Sequence, residues 1–233
     1  MNRMTNPILE KAINEGRSLL SLSESLALLE SYGLPVARYI TLKRPEEAAK
    51  AVSLGFPVVL KLDSPDIVHK TEAGAVRTGI GSEVELRQAM DEMLSSVRQR
   101  YPEARVYGFV VQEMVQKAHE VIIGGLRDEQ FGPVIAFGIG GILVEVLKDV
   151  VFEIAPVSYE DALEIIKRIK GYRILEGYRG LPRANIELLA ETISRASLMF
   201  SELSTTVSEM DLNPTFVSSE WVKIADARFK LSY

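Results

Sequence analysis

Cysteine is absent from this chain, and His69 and His119 are its only histidines. No disulfide, zinc–thiolate site or thiol nucleophile can be built, and a histidine-rich metal site is excluded. A hard cation held by carboxylates and carbonyls stays open. No apolar run is long enough to span a bilayer and no signal-peptide pattern opens the sequence, so a cytoplasmic protein is expected. There is no excess of positive charge: the net charge is −5 and the pI about 5.3. That argues against a nucleic-acid or anionic-membrane surface, and any anion site must be a local cluster within an acidic protein. Low-complexity tracts and internal repeats are also missing. What is present is ordinary globular material, 47% hydrophobic and 25% charged over 233 residues, enough for one large domain or two small lobes.

Helix-period and strand-period segments alternate along the chain. Apolar spacing predicts a helix over 7–19. A capping-box candidate, Ser21-x-x-Glu24, predicts a second that stops at Gly33. Strands are expected at 37–41, 57–62, 76–80 and 106–112, with helices over 46–54, opened by Pro45, and over 83–100. Strands follow at 120–126, 134–137, 143–147 and 151–154, then helices over 158–169 and 184–203. Strands at 206–212 and 222–225 close the pattern. The first half reads α/β and the second α+β, with a junction near 112–117. Two lobes meeting at a hinge, with a ligand in the cleft, is the architecture expected.

The chemistry concentrates in three places. The apolar strand Pro57–Leu62 carries Lys61, costly unless its ammonium has a partner. The loop that follows, Ser64-Pro65-Asp66-Ile67-Val68-His69-Lys70-Thr71-Glu72-Ala73-Gly74, offers cations, a hydroxyl, an imidazole and backbone N–H groups. Together they suit an anion such as a phosphate. The alternative is an edge strand whose lysine snorkels, followed by a polar turn.

In Val207-Ser208-Glu209-Met210-Asp211-Leu212-Asn213-Pro214, strand alternation places Val207, Glu209, Asp211 and Asn213 on one face, with Met210 and Leu212 in the core. Lined-up oxygens repel unless a cation or donor sits between them, and Mg²⁺ suits such a set, with Asp226 as a further oxygen. The alternative is a solvated polar face ending in an Asn213-Pro214 turn. Third, Gln112-Glu113-Met114-Val115 closes a buried strand at the expected hinge. Its backbone could read a purine edge, and Glu120 could take ribose hydroxyls. Glutamates at strand ends are common for other reasons.

These residues match a family. The chain resembles the ATP-grasp β subunit of ADP-forming (NDP-forming) acyl-CoA synthetases, including the acetate–CoA ligases of archaea. The resemblance runs from about Ser23 to the C-terminus. It rests on Tyr32-Gly33-Leu34-Pro35-Val36, on Gly55 to Lys61 and on Ser64 to Thr71. It continues through Phe131-Gly132-Pro133, Phe137-Gly138-Ile139-Gly140-Gly141, Gly177-Tyr178-Arg179-Gly180 and Glu209 to Pro214. Two departures stand out: Ala75 replaces a common second glycine and could stiffen the loop, and Asn185 stands where aspartate is frequent.

The resemblance implies an α/β (α+β) ATP-grasp fold in two lobes with the nucleotide in the cleft between them. Residues 1–20 would be an N-terminal helical extension, 21–112 the small lobe and 113–233 the large lobe. It implies the reaction acyl-CoA + ADP + phosphate ⇌ acid + CoA + ATP. An α subunit would carry the CoA site and a phosphohistidine, in an α2β2 assembly without nucleic acid or membrane. ATP/ADP, or GTP/GDP, and Mg²⁺ would bind here. Lys61 would contact the α- or β-phosphate, with Lys70 offsetting charge. Glu113 and the backbone of Met114 and Val115 would hold adenine, and Glu120 the ribose. Asp211, Asn213 and Asp226 would place Mg²⁺, with Glu209 a lesser member. His69 would relay the phosphoryl group, and Arg179 would stabilise its charge or else pair with a surface carboxylate. His119 is expected to face solvent or order the hinge. Rival readings are a stand-alone ATP-grasp carboxylate–amine ligase, for which little chain is left to form an acceptor domain, and a non-catalytic nucleotide-sensing subunit, which needs no phosphoryl acceptor.

Overall fold

The computed structural model describes residues 6–67, 70–115, 118–141, 149–177, 180 and 182–232. In chain order its elements begin α1 (Pro7–Asn14), α2 (Leu22–Ser31), β1 (Tyr39–Leu42), a 3₁₀ segment (Pro45–Leu54), β2 (Val58–Asp63), β3 (Val76–Ile80), α3 (Glu83–Arg100) and β4 (Gly108–Glu113). They continue with β5 (His119–Asp128), β6 (Gly132–Ile139), β7 (Val150–Ile154), α4 (Tyr159–Arg168), α5 (Tyr172–Leu175), α6 (Ile186–Leu203), β8 (Val207–Val217), β9 (Val222–Ile224) and β10 (Arg228–Leu231). The chain divides into two compact units, one of Ser21–Ser23 with Ala37–Gln116 and the other of Met1–Leu20, Glu24–Val36 and Lys117–Tyr233. No helix among the described residues is long and apolar enough to cross a membrane.

The smaller unit is a four-stranded sheet ordered β1-β4-β2-β3. Each pairing is antiparallel. Leu60, Leu62, Phe109 and Val111 point from one face into a core shared with Leu86, Met90, Met93 and Val97 of α3. Helix α3 starts where the sequence predicts, because Ser82 accepts the Glu85 N–H at 3.2 Å and caps it. The expected helix after Pro45 is instead a 3₁₀ segment. Its buried residues, Pro45, Ala48, Ala51 and Leu54, recur every third position, the period of a 3₁₀ turn rather than of an α-helix. Asp63 ends β2 and takes the Ser23 N–H and hydroxyl at 3.0 and 2.5 Å, which ties down the first turn of α2.

The larger unit is built on a second antiparallel sheet, β10-β8-β5-β6-β7, with β9 against β8. One face carries Ile123, Ile135, Phe137, Met210 and Leu212, and α6 packs against β5, β6 and β8. The other face, from Glu209 and Asp211 across Gly124, Leu126 and Val134 to Phe152 and Ile154, is half-buried to exposed. Two antiparallel sheets make the fold α+β throughout, rather than α/β in its first half.

Several expected boundaries move. Helix α1 ends at Asn14, five residues early, and Arg17 beyond it is buried in a two-pronged pair with Glu24 at 2.7 and 2.8 Å. Strand β8 does not turn at Asn213-Pro214 but runs on to Val217. Val207 is buried, not on the acidic face, because the β8–β10 pairing slips by a bulge at Lys230/Leu231. Strand β10, opposite the acidic run, was not expected. The expected strand over 143–147 lies outside the described residues.

Candidate functional site

Lys61 sits in an interior strand, not an edge: β4 flanks β2 on one side and β3 on the other. Its ladder partners are Val110 and Val76, and it is 6% exposed. The ammonium therefore does not snorkel out to water, and a charge so placed interacts strongly with an anion that reaches it. Asp66 begins the following loop in a fork with Arg105, Oδ1 to Nη2 at 2.6 Å and Oδ2 to Nε at 2.9 Å. The far end is closed by the Ala75 N–H on the Lys70 carbonyl at 2.7 Å and by Gly74, whose φ of +70° suits glycine. Ile67 and Ala73 are buried, so the loop is anchored at both ends rather than loosely solvated. Ala75 is fully buried, with its carbonyl on Leu62 N, so the departure from glycine adds core contact and does not stiffen a free turn. Lys70 is half-buried. His69, between the anchors, lies outside the described residues.

Glu113 ends β4. Its carboxylate accepts the Arg38 backbone N–H at 2.9 Å and Nε at 3.1 Å, while its own N–H donates to the Arg38 carbonyl. This clamp fixes the strand end that leads into Met114 and Val115, both half-buried. The sequence reading missed Arg38 as the residue holding Glu113.

In the larger unit, Glu120 lies on the open face of β5, and the Gly140–Gly141 turn closes over it. The Gly140 N–H donates to the Glu120 carbonyl at 2.7 Å, and a Cβ on Gly140 would come within 2.7 Å of Glu120 Cγ. Only glycine permits that approach. On β8, Asp211 stands across from Gly124 on one side and Arg228 on the other, and Glu209 across from Leu126 and Lys230. Lys230 Nζ reaches Glu209 Oε1 at 2.6 Å, and Arg228 Nη2 is 3.6 Å from Asp211 Oδ2. Asn213 is exposed. The Ala225 N–H on the Pro214 carbonyl at 3.0 Å stitches the Asp226 turn beside it, and Asp226 Oδ1 accepts the Ala227 N–H. The register thus gathers Asp211, Asn213 and Asp226 at the β8–β10 crossing, while Glu209 is engaged by a lysine. Among the described residues no three acidic or histidine side chains converge as a metal cage. A donor set of two carboxylates and an amide suits Mg²⁺, which is usually held by one or two carboxylates plus substrate oxygens. The counter-charges Arg228-x-Lys230, spaced to mirror Glu209-x-Asp211, were the signal in the sequence that β10 pairs here.

Asn185 caps α6, accepting the Leu188 N–H at 3.0 Å, and its Nδ2 donates to the Ser219 carbonyl, which an aspartate could not do. His119 is 3% exposed and does not face solvent. Arg179 lies outside the described residues.

The comparisons agree with this fold. A family model for the ATP-grasp domain matches residues 11–231. The β subunit of ADP-forming acetate–CoA ligase I of Pyrococcus furiosus is 42% identical over 225 residues, covering 96% of each chain. ADP-forming acetate–CoA ligase I of Archaeoglobus fulgidus is 44% identical over 96% of this chain, which spans 32% of that longer protein. A structure of acetyl-coenzyme A synthetase 1 of Ca. Korarchaeum cryptofilum, in complex with coenzyme A, Ca-AMPCP and HgCl+, superposes with a TM-score of 0.92 at 40% identity, covering 97% of this chain and 98% of that one. Another structure of that synthetase, with coenzyme A and Mg-AMPPCP, has its phosphohistidine segment pointing towards the nucleotide-binding site, with a TM-score of 0.83 and 37% identity over 97% of this chain and 98% of that one.

The fold and the family match together define an ATP-grasp protein. Within that class, the chain belongs to the family of β subunits of ADP-forming acetate–CoA ligases.

Proposed function

We propose that this chain is the nucleotide-binding β subunit of an ADP-forming acyl-CoA synthetase, working with an α subunit in an α2β2 assembly. The reaction is acyl-CoA + ADP + phosphate ⇌ acid + CoA + ATP, and this chain moves the phosphoryl group between a phosphohistidine and ADP. The observation that carries the reading is the match, from end to end, to a relative that is itself a separate β subunit. The longer relative, about three times this chain's span, supports a partner that supplies the rest of the enzyme.

Each residue has a role that its surroundings suit. Lys61, buried on an interior strand between Val110 and Val76, contacts the α- or β-phosphate through a charge-assisted bond. The backbone of Met114 and Val115 meets the adenine, with Glu113 keeping that strand end in place through Arg38. Glu120, under its glycine turn, takes the ribose hydroxyls. Asp211, Asn213 and Asp226 hold Mg²⁺, and Glu209, already paired with Lys230, is the outlying member. When bound, Mg²⁺ would offset the negative charge of the phosphates.

His69 accepts the phosphoryl group from the partner's histidine: one P–N bond breaks as the His69 P–N bond forms. The group then passes to a terminal oxygen of ADP, leaving His69 free. Lys70 and Arg179 offset the charge of the group in transit. The nucleotide is ADP or GDP, and the compartment is the cytoplasm.

The test is reconstitution. The chain mixed with its α subunit, acyl-CoA, ADP, phosphate and Mg²⁺ should form ATP, and neither subunit alone should. ATP-dependent coupling of an acid to an amine by the chain alone would contradict the reading.

A further inference from the structure

Among the described residues, three buried side-chain atoms have no hydrogen-bond partner: Gln112 Nε2, His119 Nδ1 and Ser232 Oγ. The His119 atom is a bare lone pair, since its Nε2 donates to the Pro182 carbonyl at 2.7 Å. Ser232 is the last residue but one. Gln112 differs from both. Its amide nitrogen carries two hydrogens that can only donate, and the residue is 1% exposed on β4, between β1 and β2. A buried donor without an acceptor is the costly case, because folding strips its water and returns nothing. Val110 and Val111, just before it, show what the strand holds where no polar group is needed.

The ladder fixes which way that amide faces. Gln112 pairs with Val59 of β2, and Val110 pairs with Lys61. Phe109 and Val111, with Val58, Leu60 and Leu62, fill the core against α3, so Val110 and Gln112 share the opposite face with Val59 and Lys61. Lys61 is the diagonal neighbour of Gln112, a spacing of about 7–8 Å between backbones. The proposed phosphate contact and the orphan amide thus lie on one face of one sheet. Along the chain, Gln112 is followed by Glu113, whose carboxylate accepts the Arg38 N–H at 2.9 Å, and then by Met114 and Val115, the proposed adenine contacts. A strand paired on both sides and clamped one residue further on carries its side chains at a fixed place. The amide at the tip is not fixed. The terminal torsion of glutamine is broad and roughly two-fold, and nothing holds its nitrogen. A half-turn exchanges the N–H donors for the carbonyl acceptor.

Adenine and guanine differ at position 6 in the same two ways: adenine offers an amine that donates, guanine an oxygen that accepts. We propose that Gln112 reads position 6 of the base, turning its carbonyl to the amine of ADP and its N–H to the oxygen of GDP, so that this chain accepts either diphosphate. A side chain that only accepts, such as a carboxylate, would favour ADP alone. The inference rests on the proposed nucleotide-binding function and adds a base-reading side chain to the backbone of Met114 and Val115.

The experiment is calorimetry of nucleotide binding with Mg²⁺ to the reconstituted complex, carrying wild type, Gln112→Glu or Gln112→Met, at about pH 7.5, where a glutamate is ionised. Wild type should bind ADP and GDP within about tenfold of one another, and should bind purine riboside diphosphate, which has no substituent at position 6, about tenfold or more weakly than ADP. Gln112→Glu should shift the ADP-to-GDP affinity ratio about 10- to 100-fold towards ADP, since its carboxylate meets the guanine oxygen with another acceptor. Gln112→Met, with neither donor nor acceptor, should weaken both diphosphates and erase their advantage over purine riboside diphosphate. An unchanged ratio in Gln112→Glu would overturn the inference, as would wild type that binds purine riboside diphosphate as tightly as ADP, or GDP more than about 100-fold more weakly. The amide would then face a buried water instead of a base. The analogue series on wild type judges the inference even if both variants fail to fold. Wild type that binds ADP but fails the analogue series leaves the nucleotide-binding function standing, whereas wild type that binds no purine diphosphate overturns both.

Discussion

Arg228 on β10 stands directly across the ladder from Asp211 on β8, with its Nη2 3.6 Å from Asp211 Oδ2. Both side chains are about two-fifths exposed, and a pair so long and so wet is a weak tie. The carboxylate can therefore exchange the guanidinium for a cation at little cost. Asp211→Asn should change stability by less than about 1 kcal/mol while raising the Mg²⁺ concentration needed for half-maximal turnover. Manganese binding followed by electron paramagnetic resonance in the presence of ADP should weaken in parallel. A variant with wild-type metal affinity would remove Asp211 from the ligand set.

Lys61 supports a prediction in which stability and binding part company. Lys61→Met keeps a chain of similar length on the interior strand and removes only the charged head. Affinity for Mg·ADP should nevertheless fall about 10- to 100-fold, the loss of one charge-assisted contact worth roughly 1.5–3 kcal/mol. Calorimetry beside a thermal melt checks both halves. Unchanged affinity would move the phosphate contact elsewhere.

Glu47 makes a small contribution to the acid limb of the smaller unit's stability. The Lys50 ammonium hydrogen-bonded to it, helped by the Lys43 and Arg44 backbone N–H groups, holds its carboxyl down at about 2. A depressed carboxyl adds stability that is present above its unfolded value near 4.5 and is lost as pH falls towards 2. Since Glu47 is solvent-exposed, the effect is small. Glu47→Gln should melt slightly below wild type at pH 7, and the two melting curves should converge between pH 4.5 and 2. A constant gap across that window would show that the carboxylate's charge is not what matters.

The anchoring of the 64–75 loop, by Asp66 on Arg105 and by Ala75 on Lys70, makes His69 replaceable without loss of fold. In the reconstituted complex, His69→Asn should leave the α subunit phosphorylated by acyl-CoA and phosphate, yet form no ATP, because an amide can hydrogen-bond a phosphate but cannot accept it covalently. Acid-labile, base-stable phosphate on each subunit is the readout. Normal ATP synthesis by this variant would reduce His69 to a phosphate-positioning role.

Where local signals were strong, the sequence was readable. Strand β3 and helix α3 start and stop where their patterns place them, since turn glycines and the Ser82 cap act within a few residues. The buried Lys61 strand and the Asp211 face were legible for a related reason: polar groups in apolar alternation are rare enough to stand out. What escaped was long-range. Nothing near Glu113 says that Arg38, 75 residues away, grips its carboxylate, and nothing near Ser23 points to Asp63. Asn213-Pro214 reads locally as a turn, but Thr215, Phe216 and Val217 go on to pair with β9 and so extend β8. For His119 the reading left solvent exposure and a place ordering the hinge both open, because its partner, Pro182, is 63 residues away and local pattern does not encode that pairing.

The central claim is that this chain takes a phosphoryl group from a histidine of its partner and gives it to a nucleoside diphosphate. The most direct measurement is a single-turnover transfer: the α subunit is labelled with radioactive phosphate from acyl-CoA and phosphate, freed of substrates, and mixed with this chain and Mg·ADP. The account predicts that label leaves the α subunit and appears in the γ-phosphate of ATP only when this chain is present. Label that stays on the α subunit, or reaches ATP equally well without this chain, would contradict it.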